Sequence, residues 1–331
     1  MRERSLQEIF DSFNSLTALI IGDVMVDAYI WGKVERISPE APVPVVQVTK
    51  REKRLGGAAN VALNVQALGA TPILCTLIGE DSYADEFAWL LKNRGLSEEG
   101  IIRSPRRMTT CKERVLSGSQ HILRVDSESD SLLHEEDEKA LLERISRLLP
   151  QADVVIFEDY DKGVLNENLI QEVIALARTN GIPTVVDPKK RNFFAYRGAS
   201  LFKPNLKELR EGLKLDFEKH DQQAIEQAVK QLKEILQLPT ALITLSERGI
   251  YIDAPEEHHL LPAHVRSISD VSGAGDTVVS IAALAQALGL PPRLLADLAN
   301  LGGGLVCEHL GVVPVDKARL YQEALKNELH P

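Results

Sequence analysis

The chain has 331 residues, of which 44% are hydrophobic and 26% are charged, the balance of a globular protein with a sizeable core. Its net charge is −10 and no basic run is interleaved with aromatic residues, so nucleic acid is not an expected partner. No apolar run approaches the roughly 18 residues of a membrane span, and residues 1–8 lack the apolar segment of a signal peptide. The three cysteines form no CxxC pair, which favours a reducing compartment. We therefore expect a cytoplasmic protein with no membrane partner.

The predicted elements begin with a helix-like lead-in, followed by an apolar run at residues 16–21 that predicts a buried strand. Two β-like runs come next, at residues 28–33 and 43–49, where prolines favour edge or lid strands over central ones. Farther along, apolar strands alternate with amphipathic helices, which favours a parallel sheet covered by helices on both faces. These helices are predicted at residues 57–68, 82–93, 166–179, 205–212 and 218–236, and the strands at residues 71–78, 153–157, 183–187, 201–203 and 240–244.

One segment departs from this alternation, because residues 108–116 and 121–125 flank a Ser-Gly-Ser-Gln turn and predict a hairpin. The hairpin and the earlier β-like runs would form a small lid from about residues 28–50 and 108–126. The last third is predicted to be helical, at residues 273–288, 292–310 and 315–329. With no clear linker, we predict one α/β domain over residues 1–331, a doubly wound, mostly parallel sheet sandwiched by helices, with a small β-sheet lid.

The segment from Asp270 to Asp276 carries the most specific chemistry. The small residues Gly273, Ala274 and Gly275 open a predicted helix, whose N–H groups and dipole favour an anion. Asp276 then lies in the first turn, where its carboxylate can accept a proton from a hydroxyl beside that anion. We expect the helix N-terminus to lower the pKa of Asp276. The alternative is an ordinary glycine turn with an acidic capping residue.

Polar side chains also follow the predicted strands, and ligands of open α/β sheets bind beyond the carboxyl ends of the strands. The residues at these positions are Asp23 and Asp27, Glu158 to Tyr160, Asp187 and Lys189, Asn205 and Glu208, and Thr244 and Ser246. We expect them to converge on one site. The chain has no GxxxxGK[ST] motif, so this site is not a P-loop.

Two of these patterns have a structural alternative. Asn205 and Glu208 have the spacing of a capping box, but beside a nucleotide the Glu208 carboxylate could organise Mg²⁺ and its waters. Gly56 and Gly57 precede a predicted helix that carries Asn60. They allow either close helix packing or approach of the backbone to a polyol that Asn60 hydrogen-bonds.

Gly56-Gly57-Ala-Ala-Asn60 and Asp270-Val-Ser-Gly-Ala-Gly-Asp276 resemble the two signatures of the ribokinase-type (PfkB) family of sugar kinases, and the resemblance extends from Asp23 to the last helix. It implies a ribokinase-like fold with a lid, and a reaction that uses ATP and Mg²⁺, with a monovalent cation as a further option. It assigns Asp276 as the catalytic base and the backbone of Gly273, Ala274 and Gly275 as the anion hole.

The resemblance also implies roles for other residues. It assigns nucleotide contacts to Asn205, Glu208, Thr244, Ser246, Gly249, Asn300 and Gly304, with Glu208 acting on Mg²⁺ through water. It assigns acceptor contacts to Asp23, Asp27, Gly56, Gly57, Asn60, Glu158 and Asp187. Our own candidates for a distal phosphate of the acceptor are Lys112, Arg124 and Lys189, which the motifs do not specify.

Residues 22–32, 36–45 and 55–60 are more closely similar to kinases of D-glycero-D-manno-heptose 7-phosphate. Those enzymes phosphorylate the anomeric hydroxyl for the inner core of lipopolysaccharide. The chain length predicts the stand-alone form, without the adenylyltransferase domain to which some of them are fused.

Two alternatives remain open for the function. One is another PfkB-type kinase that acts on ribose, fructose or a nucleoside, and the other is a non-catalytic protein that senses a nucleotide or a sugar. Alternating apolar residues at 43–48 also predict a homodimer formed through the lid.

Overall fold

The computed structural model describes residues 4–118, 120–264 and 266–330. The strands in these ranges are β1 (Thr17–Gly22), β2 (Val24–Ile37), β3 (Pro44–Gly57), β4 (Thr71–Ile78), β5 (Ile101–Arg103), β6 (Cys111–Ser117), β7 (Gln120–Ser127), β8 (Val154–Glu158), β9 (Thr184–Asp187), β10 (Leu201–Phe202), β11 (Thr240–Thr244), β12 (Ile250–Asp253) and β13 (His258–Leu261). The helices are α1 (Leu6–Ser12), α2 (Ala58–Ala67), α3 (Ser82–Asn93), α4 (Glu135–Leu148), α5 (Glu167–Thr179), α6 (Leu206–Leu213), α7 (Gln222–Leu236), α8 (Ala274–Ala287), α9 (Pro292–Val306) and α10 (Lys317–Lys326). None of the helices in the described ranges combines the length and the hydrophobicity that crossing a bilayer requires.

A nine-stranded sheet forms the centre of the fold, in the order β13-β12-β11-β10-β9-β8-β1-β4-β5. Its strands pair in parallel from β11 to β5, and β12 and β13 extend one edge as antiparallel strands. Side chains alternate between the two faces of a strand. In β1, Ala18 and Ile20 therefore pack with α2, α8 and α9, whereas Leu19 and Ile21 pack with α4, α5 and α7. Both faces are covered, which explains why the central strands are apolar throughout.

A second, four-stranded sheet, which we call the small sheet, has the order β3-β2-β6-β7. Strands β2 and β3 pair antiparallel over 14 residues each and are much longer than the predicted runs at residues 28–33 and 43–49. A register shift between Trp31 and Gly32 interrupts their hydrogen-bond ladder. Pro44 is the first residue of β3, a position where the missing N–H of proline is tolerated. Strand β6 pairs in parallel with β2 and antiparallel with β7, the predicted hairpin.

The predicted fold class is confirmed, with local corrections. Helix α4 was not predicted, although Leu141, Ile145 and Leu148 are buried along one face at helical spacing. Strands β12 and β13 were also missed, because each has only four residues. Helix α9 ends at Val306 rather than at the predicted residue 310, and α10 ends at Lys326 rather than at residue 329. The assignment of the whole chain to one domain stays a prediction.

Candidate active site

The first turn of α8 lies where the carboxyl ends of β8 and β9 meet the small sheet. Gly273 caps this helix in the left-handed region, with φ of 81°. The first intrahelical bond runs from the Thr277 N–H to the Gly273 carbonyl. The N–H groups of Gly275 and Asp276 have no acceptor within the described part of the chain, as is general for a first helical turn. These amides and the helix dipole form a site for an anion.

Asp276 is 5% exposed, and each of its carboxylate oxygens accepts one hydrogen bond. Asn60 donates to Oδ2 at 2.6 Å from α2, and the Tyr160 hydroxyl donates to Oδ1 at 2.9 Å from the loop after β8. The pair of donors holds the carboxylate in a defined orientation beside the free amides of its helix.

Our expectation for the pKa of Asp276 was wrong in direction. Burial raises the pKa above its ordinary value and the charge of Asp187 adds to the rise, although the bonds from Asn60 and Tyr160 oppose it. The helix N-terminus does not determine the direction, because the carboxylate is desolvated and lies beside another anion. A raised pKa makes Asp276 a stronger base in its ionised form.

Asp276 also belongs to a cluster of three buried carboxylates with Glu158 and Asp187. One oxygen from each of the three lies within 4.8 Å of the others. Both oxygens of Glu158 are buried and make no hydrogen bond in the described part of the chain. Burial, together with the neighbouring carboxylates Asp187 and Asp276, raises the pKa of Glu158 well above its ordinary value. Oxygen ligands of this kind suit Mg²⁺, so the residues present fit a divalent cation.

Two lysines offset part of this negative charge. Lys203 is 3% exposed, and its Nζ lies 2.9 Å from Asp187 Oδ2. Lys189 Nζ lies 2.7 Å from Glu208 Oε1 and 3.8 Å from Asp187 Oδ1. Burial lowers the pKa of Lys189, but Asp187 and Glu208 outweigh burial and raise the pKa overall. Lys189, predicted to bind a distal phosphate, is therefore engaged with the carboxylates of the site centre.

Asn205 and Glu208 form the capping box that was one of their two interpretations. The Asn205 side chain accepts from the Glu208 N–H, and Glu208 Oε2 accepts from the Asn205 N–H, both at 2.8 Å. Since Lys189 donates to the other oxygen of Glu208, both oxygens of this carboxylate have a partner. The role of Glu208 on a water-bound Mg²⁺ stays a prediction.

A cavity of about 380 Å³ opens beside the anion site, between the end of β11 and helices α8 and α9. It brings together five of the residues predicted to contact the nucleotide with two of the anion hole: Thr244, Ser246, Gly249, Asn300, Gly304, Ala274 and Gly275. Its remaining lining is largely apolar, including Ile250, Ile268 and Val278. Apolar walls with a few polar groups are typical of a site for a flat ring.

The predicted acceptor residues lie on the other side of Asp276, and besides Asp187 two more of their carboxylates have partners. Asp23 accepts from the backbone N–H groups of Tyr160, Lys162 and Val164 at 2.9 to 3.0 Å, so it holds the loop after β8 in place. Asp27 Oδ1 pairs with Arg114 at 2.5 Å.

Gly56 and Gly57 end β3 directly before α2. A Cβ at Gly56 would lie 2.6 Å from Asp27 Oδ2, so the backbone at Gly56 closely approaches the carboxylate of Asp27. A contact of these residues with a sugar stays a prediction.

The remaining distal-phosphate candidates lie on the small sheet. Lys112 is opposite Asp27 in the β2–β6 register, and its Nζ lies 3.7 Å from Glu128. Arg124 pairs with Asp126 on its own strand and has a side chain that is 59% exposed.

Sequence reasoning did not assign roles to Tyr160 and Lys203, although both follow strands of the large sheet. Tyr160 contacts the carboxylate of Asp276, and Lys203 pairs with Asp187. The rule that ligand-binding groups follow strand ends placed Tyr160 among the converging residues without a role, and it could also have identified Lys203.

Unpaired amides at a helix N-terminus, a hydrogen-bonded carboxylate in the same turn and an adjacent cavity are what transfer of a phosphoryl group to an alcohol requires. The site therefore defines a phosphotransferase on a doubly wound α/β fold. Residues 16–318 match the family model described as pfkB family carbohydrate kinase. The chain belongs to this family and is a kinase, and the resemblance noted in its sequence is confirmed.

Two relatives are similar over most of the chain. A bifunctional protein HldE from Desulfatibacillum aliphaticivorans is 40% identical over 309 residues, which cover 93% of this chain and 63% of that protein. A bifunctional protein HldE from Methylobacillus flagellatus is 40% identical over 326 residues, which cover 98% of this chain and 66% of that protein. The chain thus spans less than two thirds of the length of either relative.

A solved structure shows the same fold. Phosphofructokinase-2 from Escherichia coli in complex with fructose-6-phosphate superposes with a TM-score of 0.77 at 17% identity, covering 93% of this chain and 99% of that one. The same enzyme has been solved in complex with potassium. The likeness confirms the ribokinase-like architecture with its small second sheet.

Proposed function

We propose that this chain transfers the γ-phosphoryl group of ATP to the anomeric hydroxyl of D-glycero-D-manno-heptose 7-phosphate, giving the 1,7-bisphosphate in the synthesis of ADP-heptose and the lipopolysaccharide inner core. The observation that carries the proposal is the Asp276 carboxylate, hydrogen-bonded by Asn60 and Tyr160 beside the free amides of α8. The heptose assignment is supported by the sequence resemblance and by the two relatives named HldE.

In this proposal Asp276 accepts the proton of the anomeric hydroxyl. A carboxylate oxygen has about two lone-pair sites, so Oδ1 and Oδ2 can each accept a further hydrogen bond while Asn60 and Tyr160 keep theirs. The free N–H groups of Gly275 and Asp276 would donate to the transferring group and stabilise its charge.

The kinase family implies ATP with Mg²⁺, and we propose that Glu158 and Asp187 hold the metal with Glu208 nearby. When bound, Mg²⁺ supplies positive charge that neutralises the phosphates of the donor. Lys203 and Lys189 pair with Asp187 and hold this carboxylate in position. A requirement for a monovalent cation stays a prediction.

The acceptor would lie between the small sheet and the loop after β8, with Asp23, Asp27 and Asn60 around it. Lys112 and Arg124 supply positive charge on the same face of the small sheet, because Lys112 is two residues from Arg114, the register partner of Arg124. Cationic groups at this end suit an acceptor that already carries a phosphate.

We also propose that two copies pair through the small sheet, as the alternating residues 43–48 predict. Val43 and Val48 are 51% and 43% exposed, so apolar side chains are available at this edge. Light scattering that finds a monomer at micromolar concentration would exclude this pairing. The cytoplasmic setting stays a prediction.

A coupled assay of ADP release tests the function directly. The acceptors are heptose 7-phosphate, fructose 6-phosphate, ribose, fructose and a nucleoside, each at matched concentration with ATP and Mg²⁺. The proposal predicts the highest kcat/KM for heptose 7-phosphate, with at least tenfold preference over fructose 6-phosphate. Preference for an unphosphorylated sugar would contradict it and favour another kinase of the family.

A further inference from the structure

Two lysines beside the acceptor side share a single carboxylate. Lys162 Nζ donates to Glu128 Oε1 at 2.7 Å, and Lys112 Nζ lies 3.7 Å from Glu128 Oε2. The side chains are largely buried, with exposed fractions of 15% for Lys162, 17% for Lys112 and 28% for Glu128. Glu128 Oε2 is itself buried and makes no hydrogen bond in the described ranges. One carboxylate is therefore shared by two ammonium groups, and one of its oxygens is incompletely bonded.

The fold brings these groups together by a close backbone approach. Gly163 has φ of 85°, and a Cβ there would lie 2.0 Å from the Ser131 carbonyl oxygen. Only glycine allows the loop after β8 to contact the segment after β7 in this way. Arg107 reinforces the contact, because it donates to the carbonyls of both Lys162 and Ser131. The backbone contact thus holds the two segments that carry Lys162 and Glu128 beside each other.

The lysine pair belongs to the loop and the strand that border the acceptor side. The backbone N–H of Lys162 donates to the same Asp23 oxygen as the N–H of Tyr160, whose hydroxyl contacts the base Asp276. Lys162 is two positions after Tyr160, a span of at most about 7 Å. A ligand that reaches Asp276 past Tyr160 therefore passes close to this loop.

We propose that Glu128 is an internal substitute for the distal phosphate of the acceptor. In the free protein its carboxylate occupies Lys112 and Lys162, and the phosphate of an incoming sugar phosphate displaces it from both. This inference rests on the proposed function in taking a sugar phosphate as the acceptor, and it adds how the site distinguishes phosphorylated from unphosphorylated sugars.

Charge and the number of oxygens that can accept hydrogen bonds determine which anion the two lysines bind more strongly. A phosphate monoester carries about −1.5 to −2 charge at neutral pH and three acceptor oxygens, whereas Glu128 offers one charge and two oxygens. Two ammonium groups therefore bind the phosphate more strongly than the carboxylate. An unphosphorylated sugar cannot displace Glu128, so it gains nothing from Lys112 and Lys162. The carboxylate therefore leaves the affinity for an unphosphorylated sugar unchanged, and only a phosphorylated sugar can replace it on the two lysines.

Titration calorimetry with inorganic phosphate tests the exchange, in the presence of a saturating non-hydrolysable ATP analogue that fills the nucleotide phosphate site. The variant Glu128→Gln removes the competing charge and should bind phosphate about three- to tenfold more tightly than wild type, the effect of one partly buried ion pair. The control Glu99→Gln removes the same charge from an exposed pair with Arg147 and should leave the affinity unchanged. Unchanged or weaker binding in Glu128→Gln would overturn the inference.

A second variant keeps the test decisive if Glu128→Gln folds poorly. Lys162→Met should weaken phosphate binding at least tenfold, and retention of wild-type affinity would equally overturn the inference. In steady-state assays, Glu128→Gln should lower the KM for the sugar phosphate and leave the KM for ATP unchanged. If heptose 7-phosphate is not turned over by wild type, the proposed function fails. The order of phosphate affinities among wild type, Glu128→Gln and Lys162→Met still decides the inference.

Discussion

The first turn of α8 has two sides, which we propose bind the nucleotide and the acceptor, and different kinds of residues line them. The cavity beside α9 is lined mainly by small and apolar residues, with few charges. The acceptor side is built from buried carboxylates that already have partners, because Asp23, Asp27, Asp187 and Asp276 each accept hydrogen bonds or pair with a cation. One side presents an open volume, and the other presents a network of hydrogen bonds and ion pairs.

The difference indicates how each side binds its ligand. A flat ring needs an apolar slot, which a fold can leave open at little cost because such a slot has few polar groups to satisfy. Buried carboxylates and lysines must find partners in the free protein, since an unpaired buried charge costs several kcal/mol (about 3–5). We therefore expect the acceptor to exchange partners with the protein, whereas the nucleotide enters space that is already available. The following predictions test this contrast, from the largest expected effect to the smallest.

Replacement of Asp276 should have the largest effect. Asp276→Asn keeps the size of the side chain but removes the proposed base, so turnover should fall by about 10²- to 10⁴-fold. Because the mutation leaves the cavity beside α9 unchanged, the affinity for ATP measured by calorimetry should stay within threefold of wild type. Turnover near the wild-type value in the ADP-release assay would show that another group removes the proton.

Breaking the buried ion pair of Lys203 should destabilise the fold. Lys203→Met leaves Asp187 without its closest cation beside Glu158 and Asp276, and the free energy of unfolding should fall by about 3–5 kcal/mol. The matched control is Lys207→Met. The Lys207 side chain is 81% exposed and pairs with Glu211 one helical turn away, so its loss should lower the free energy of unfolding by only about 0.3–0.5 kcal/mol. Urea denaturation measures both. Equal losses in the two variants would mean that Asp187 does not depend on Lys203.

On the nucleotide side, Gly249→Ala should act through the backbone. Gly249 has φ of 91°, and a Cβ would lie 2.0 Å from the Leu261 carbonyl oxygen, so the turn must shift at a cost of about 3 kcal/mol. The KM for ATP should rise while the KM for the acceptor stays constant. Gly95→Ala serves as the control, since Gly95 has φ of 66° and open space around it. In Gly95→Ala the free energy of unfolding should fall by only about 1–2 kcal/mol, and the KM for ATP should not change.

The smallest effect concerns Glu323, which pairs with Arg266 in the wall of the cavity beside α9. Bonds from Lys326 and Arg266 lower the pKa of Glu323 to about 2, from 4.5. A carboxyl group whose pKa is lower in the folded state stabilises the fold above the unfolded value, and this contribution is lost as pH falls through the folded one. The melting temperature of wild type should therefore exceed that of Glu323→Gln by a constant margin above about pH 5. The difference in melting temperature should shrink between pH 4.5 and 2. A difference that does not change with pH would show that the pKa of Glu323 is not lowered by its partners.

What could be predicted from the sequence follows from how local each feature is. The turn at Gly273 to Asp276 was predicted correctly because glycines and a helix start are encoded within a few residues. The order of layers was also predictable, since alternating strands and helices allow few topologies. The pKa direction of Asp276 was not, because it depends on Asp187 and on burial by chain segments far apart in sequence.

Other parts of the site were beyond sequence reasoning for the same reason. The Asp23 carboxylate could be placed near the ligand from its position after β1, but its three bonds to the loop at residues 160–164 depend on tertiary packing. The pairing of Glu128 with Lys162 depends on the approach of Gly163 to Ser131, 32 positions away in the chain. No local pattern records such a contact.

The most direct test of the account is an experimental structure of the ternary complex with heptose 7-phosphate and a non-hydrolysable ATP analogue. We predict that a carboxylate oxygen of Asp276 lies about 2.6–3.2 Å from the anomeric oxygen, with the γ-phosphate against the amides of Gly275 and Asp276 and the adenine in the cavity beside α9. An acceptor whose hydroxyl approaches a different side chain, or a γ-phosphate bound away from the first turn of α8, would contradict the account.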